Sequence, residues 1–141
     1  MRAYPMCFGC GSDNPYGLHL HLNRADGWWQ SEFLPQDYHC GWPGVVHGGV
    51  LATALDEVSS YVIFGEGRSA VTASMKLEFR KAAAPGERLL VRARPVRVTR
   101  RVVETIGEVL RPDGSVVAVA ESRFLVLSES QRKELGIPQG E

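Results

Sequence analysis

No stretch of this chain stays apolar for the roughly 20 residues that cross a bilayer as a helix, so no membrane helix is expected. Neither sign of charge dominates, since 16 Lys and Arg balance 16 Asp and Glu. Without a broad basic field to attract phosphate backbones or anionic lipid, nucleic acid and membrane are not expected as partners. Cysteine is scarce and odd in number (Cys7, Cys10 and Cys40), which argues against a disulfide framework. The first residues lack a charged segment followed by an apolar run, so a cytoplasmic protein is expected. Internal repeats and low-complexity segments are lacking too. What is present is 141 residues, 44% of them hydrophobic, which is enough for a single domain over 1–141 with a core of its own.

Cys7-x-x-Cys10 has the spacing of half a zinc site. The other half would be His39 and Cys40, but adjacent side chains rarely both reach one ion, so no metal is expected. Cys-Phe-Gly-Cys-Gly reads instead as a tight turn packed on the domain, within a loop over 1–17 rich in glycine.

The rest of the chain divides by periodicity. Leu18 to Leu22 alternates Leu with a polar partner and reads as a short strand that leaves His19 and His21 at the surface. Asp26-Gly27 is a turn before a strand from Trp28 to Phe33, and 35–46 is a structured loop holding Pro35, Gly41, Pro43 and Gly44. Gly48 to Phe64 is the one long helical pattern, ended by Gly65 and Gly67. Beyond it, Val71, Ala73, Met75, Leu77 and Phe79 alternate with Thr72, Ser74, Lys76, Glu78 and Arg80, as in a strand buried on one face. Leu89 to Val98 is a further strand, in which Pro95 requires an edge or a bulge. Arg101 to Leu110 and Ser115 to Leu127 form a hairpin around Pro112-Asp113-Gly114, and the tail over 129–141 opens with a helical turn or two. One helix segregated from an antiparallel sheet of five to six strands is an α+β fold, most economically a central helix wrapped by a curved sheet.

The run from Val46 to Glu57 carries the chemistry. It opens with His47-Gly48-Gly49 and continues as a helix bearing Asp56 two turns on. A helix N-terminus offers unpaired N–H groups and partial positive charge to a developing oxyanion. A carboxylate on the same helix is suited to general-base or nucleophilic work. Gly49, Thr53, Asp56, Glu57 and Ser60 form a polar stripe on an otherwise apolar helix. Gly49 and Asp56 lie seven residues apart, about 10 Å along the axis, too far for one copy to serve one carbonyl carbon. Two antiparallel copies across a twofold axis would bring Gly49 of one to Asp56 of the other, so a homodimer is expected. Glu57, turned about 100° from Asp56, is expected in a salt bridge at the stripe's edge.

These residues resemble the hot-dog fold thioesterases, specifically the PaaI-like and 4-hydroxybenzoyl-CoA thioesterase-like group with the His-Gly-Gly signature. Three stretches carry the resemblance: Cys7 to Leu18, Gly41 to Gly49 followed by Asp56, and Thr72 to Gly86. The resemblance implies a hot-dog fold, a dimer or a tetramer built as a dimer of dimers, and an acyl-CoA substrate in the groove between subunits. It implies no cofactor, coenzyme A entering as part of the substrate. Asp56, nine residues after His47, stands where the family has its catalytic acid. The Gly49 N–H would bind the thioester carbonyl oxygen beside Gly48, with His47 holding the turn. Thr72 stands at a position that in relatives helps to place the water, and Ser74, on the same polar face, is the fallback. In place of the Asn or Gln that donates to the carbonyl in some relatives, this chain has His39-Cys40, of which His39 is the better donor. Trp42 would line the acyl or pantetheine channel. Arg80 and Lys81, and further off Arg97, Arg100 and Arg101, have the charge to meet coenzyme A phosphates. Two other readings remain: a non-catalytic acyl-CoA-binding module, and a hydratase or dehydratase pairing His39 or His47 with Glu57.

Overall fold

The computed structural model describes residues 4–140. Strands β1 (Asn23–Ala25) and β2 (Trp28–Phe33) form a hairpin turned by Asp26 and Gly27, both at positive φ (52° and 82°). Two such residues give the turn whose twist matches that of the flanking strands. The loop that follows folds into a 3-10 turn over Asp37–His39 and a small hairpin of β3 (Cys40–Trp42) and β4 (Val45–Val46). Helix α1 runs over Gly48–Phe64, as its periodicity predicts. Then come β5 (Ala70–Phe79), β6 (Leu89–Val98), β7 (Val102–Leu110), β8 (Val116–Val126) and a short α2 (Glu129–Leu135).

Six strands join in one antiparallel sheet in the order β1-β2-β6-β7-β8-β5. Helix α1 packs against β2, β5, β6, β7 and β8. The core lies between them, where Leu51, Leu55, Val58 and Val62 of the helix share a cluster with Val91, Val103, Val109 and Phe124 of the sheet. No described helix is long and apolar enough to cross a membrane.

Two local expectations are corrected. Residues 18–22 form no strand. His19 sits at φ 54°, which breaks an extended run, and Leu18 and Leu20 donate instead to the carbonyls of Phe8 and Gly9. The alternation there records one-sided burial of an irregular segment, with Leu18 and Leu20 inside and His19 and His21 outside. Pro95, expected at an edge or a bulge, lies on an inner strand at a bulge, where the register shift between Pro95 and Arg97 accommodates its missing N–H.

The second correction concerns β5. Its pairing with β8 shifts register between Thr72 and Ser74, leaving Ala73 as the extra residue of a bulge. Residues paired across an antiparallel ladder share a face. Thr72, Met75, Leu77 and Phe79 pair with Phe124, Ser122, Ala120 and Ala118, all buried on the helix side. Val71, Ser74, Lys76 and Glu78 therefore lie on the outer face. The strand is not one continuous alternation but two, joined by a change of parity at Ala73. As an edge strand it also stays open on one side, and Val71 and Phe79 remain exposed.

Leu55 is fully buried where α1 meets the sheet, near Gly107 of β7. Leu55→Ala should cost about 2–5 kcal/mol in urea-induced unfolding, because it opens a cavity that rigid strands cannot collapse. A change under about 1 kcal/mol would show that the helix–sheet contact is not the core of the fold.

Candidate active site

The helix N-terminus is built from its loop. The His47 N–H donates to the His39 carbonyl at 2.8 Å, and the Val46 N–H to the Ala83 carbonyl at 2.8 Å. The chain thus enters α1 pinned to the 3-10 turn on one side and to the segment after β5 on the other. His47 is the N-cap, in extended conformation, and its Nδ1 accepts the Gly49 N–H at 2.8 Å. An imidazole that accepts at Nδ1 carries its neutral-form proton on Nε2. A β-carbon at Gly41 would stand 2.9 Å from His47 Cδ2, so a glycine there lets the ring lie close. The Gly49 N–H, expected as a vacant donor, is therefore already engaged by its own cap.

Two turns on, Asp56 is half-buried and its Oδ1 accepts the Thr72 hydroxyl at 2.7 Å. The bulge at Ala73 makes this bond available, because it turns Thr72 to the helix side of β5. Ser74, expected on the same face as Thr72, lies on the opposite one, where it lines a cavity with Glu104 and Arg123. Between the two ends of the stripe, the Thr53 hydroxyl donates to the Gly49 carbonyl at 2.9 Å.

Beside the helix N-terminus a cavity of about 380 Å³ is lined by Gly48, Phe79, Arg80 and Lys81. Arg80 is shared with Glu78 at 2.9 Å. Two exposed cations thus stand by the positive end of a helix, a setting suited to an anion. Of the other cations considered, Arg97 pairs with Glu104, whereas Arg100 and Arg101 line a separate cavity with Leu125 and Gln131.

The thioesterase superfamily model matches residues 43–118, which run from the loop before α1 into β8. The chain belongs to the thioesterase superfamily. Its fold is the α+β hot-dog, the central helix packed on a six-stranded antiparallel sheet. A phenylacetic acid degradation-related protein of Ralstonia eutropha JMP134 is 30% identical, over 77% of this chain and 86% of that one, with a TM-score of 0.70. A Streptococcus mutans UA159 protein solved with bound acetyl CoA is 24% identical, over 77% and 89%, with a TM-score of 0.73. The E. coli PaaI protein from the phenylacetic acid degradation operon has the same fold, at 16% identity, 79% and 81% coverage and a TM-score of 0.74.

In this hot-dog chain the remaining candidates are dispersed. Trp42, on β3, is 76% exposed. The His39 ring is buried edge-on to Phe33, where desolvation pushes its pKa down. Its Nδ1 accepts the Gln36 N–H at 2.9 Å, and Nε2 is buried with no hydrogen-bond partner among the described residues. A neutral His39 therefore has its one N–H buried in the loop. Cys40 stays beside the Gln36 carbonyl.

Glu57 is in none of the ion pairs among the described residues, contrary to the expected salt bridge. It is turned away from Asp56 into the N-terminal segment, where the Cys7 thiol donates to its Oε2 at 3.3 Å. Burial pushes its carboxyl up to about 7. In the sequence the Cys7-x-x-Cys10 pair marked this segment, but its contact with the helix joins residues 50 apart and carried no signal of its own.

Replacing His47 by Ala removes the acceptor for the Gly49 N–H and should cost about 1 kcal/mol of stability, whereas His47→Asn restores a capping oxygen and most of the loss. Urea unfolding of the two variants checks this, and equal losses in both would rule out the cap as the role of His47.

Proposed function

We propose that the protein is an acyl-CoA thioesterase, and one observation carries the reading. The Asp56 carboxylate is held by the Thr72 hydroxyl on the same helix that begins at His47-Gly48-Gly49. Thr72 occupies Oδ1, which leaves Oδ2 to take a proton from water. As that water attacks the thioester carbon, charge gathers on the carbonyl oxygen. The tetrahedral intermediate then expels coenzyme A as its thiolate and leaves the free acid.

The Gly49 N–H is the oxyanion donor in this scheme. It exchanges or shares its bond to His47 Nδ1, because an oxyanion is a stronger acceptor than a neutral imidazole. The helix dipole adds to it. Gly49 and Asp56 serve one carbonyl only across two copies of the chain. The open edge of β5, with Val71 and Phe79 exposed, is the surface a second copy would cover. Arg80 and Lys81 beside Gly48 suit the phosphates of coenzyme A. The acetyl CoA in the Streptococcus mutans structure supports that ligand class. The two neighbours linked to phenylacetic acid degradation make an arylacetyl thioester the first acyl group to try.

A second reading, an acyl-CoA-binding module without turnover, is favoured by one observation, the Gly49 N–H already bonded to its cap. The hydratase reading has little support, because Glu57 is bonded to Cys7 rather than to a histidine.

Asp56→Asn should lower thiol release from a panel of short, long and aromatic acyl-CoAs by about 10²–10⁴-fold, while acyl-CoA binding stays within a few-fold. Hydrolysis unchanged in the variant would remove Asp56 from the site. No hydrolysis of any thioester by the wild type, with tight binding, would select the binding module. In heavy-oxygen water, single-turnover label in Asp56 marks it as nucleophile, and label in the acid product alone is the outcome expected of a base. Sedimentation at assay concentration should give a dimer or a tetramer. Full activity from a monomer would exclude the shared site.

A further inference from the structure

We infer that Cys7, Cys10 and Glu57 form a binding site for a thiophilic divalent cation of the zinc class, separate from the Asp56–Thr72 pair. The two thiol sulfurs and a carboxylate oxygen all lie within 4.8 Å of one another, and the sulfur of Cys7 is 3.3 Å from Glu57 Oε2. Ligands at about 2.3 Å (sulfur) and 2.1 Å (oxygen) around a tetrahedral ion stand roughly 3.6–3.8 Å apart. The cluster needs to close by no more than about 1 Å to take such an ion.

The Gly11 N–H bonds the Cys7 carbonyl at 2.8 Å, closing a compact knuckle. Gly9 is where the knuckle meets the helix. A β-carbon there would stand 2.5 Å from Glu57 Cδ, so the carboxylate reaches the sulfurs over a bare backbone. Tyr61, one turn beyond Glu57, places its hydroxyl 3.3 Å from Cys10 Sγ and can donate to it. Three protein ligands leave a fourth position. The three residues line a cavity of about 410 Å³ walled by Tyr4, Met6, Phe8 and Phe64, which has room for water or a small ligand as the fourth.

Without a cation the site is electrostatically awkward. No ion pair among the described residues reaches Glu57. The Glu57 carboxylate instead faces the Cys7 thiol, with the Cys10 sulfur and the Tyr61 hydroxyl beside it. A divalent ion would displace the thiol protons and balance the carboxylate they face. His39 and Cys40 are not part of the group.

The test uses the full chain, freed of metal under reducing conditions and titrated with Co(II), then with Zn(II). One Co(II) per chain should bind with sulfur-to-cobalt charge-transfer bands and the visible bands of four-coordinate cobalt, and Zn(II) should displace it. Cys7→Ser and Cys10→Ser should weaken the charge-transfer bands and Co(II) binding. Glu57→Gln should keep the bands and weaken binding by about tenfold or more, and Cys40→Ser should change nothing. Because the wild-type stoichiometry needs no variant to fold, absence of charge-transfer bands and of retained zinc in the wild type overturns the inference. Loss of binding in Cys40→Ser, or unaltered affinity in Glu57→Gln, overturns the ligand set. Thiol release by each variant is recorded separately, so failure of the metal site and failure of the thioesterase reading are distinguishable.

Discussion

The burial of α1 against one face of the sheet is the constraint on which the rest depends. Leu51, Leu55, Val58 and Val62 lock the helix in rotation and in register. Once they are inside, the directions of the other residues follow at about 100° each. Asp56 is turned towards β5, Glu57 towards the N-terminal knuckle, and Gly48-Gly49 are left at the helix end beside Arg80 and Lys81. A helix free to roll by one residue would exchange the environments of the two adjacent carboxylates.

Those environments differ in kind. Asp56 is half-buried and receives a neutral hydroxyl. Glu57 is pressed among two thiols and a phenol, with its carboxyl raised by desolvation. Adjacent acids on one helix thus acquire separate chemistry from what packs on either side, a strand for one and an irregular loop for the other. The burial that shapes the fold also sets the electrostatics.

A single extra residue does comparable work in β5. Without the bulge at Ala73, Thr72 would keep the parity of Ser74 and Lys76 and lie on the outer face, away from the helix. The same strand is the edge of the sheet, so the element that supplies the Asp56 partner also presents open backbone and exposed apolar side chains. Site and candidate association surface are therefore mechanically one piece.

Where structure is local, the sequence by itself determined it. The bounds of α1, of β2 and of β6 follow from periodicity. The Asp26-Gly27 turn follows from residues that tolerate positive φ, and His47-Gly48-Gly49 with Asp56 marks the helix start and its acid. Each is decided within a few bonds of the residues concerned. Tertiary structure decided what depends on distant partners. The pairing register with β8 sets the parity change in β5, and the hydrogen bonds of Leu18 and Leu20 to the N-terminal turn replace a strand. The meeting of Cys7 and Cys10 with Glu57 spans 50 residues. No periodicity along the chain encodes such an encounter, because it exists only after the knuckle and the helix have been buried against each other.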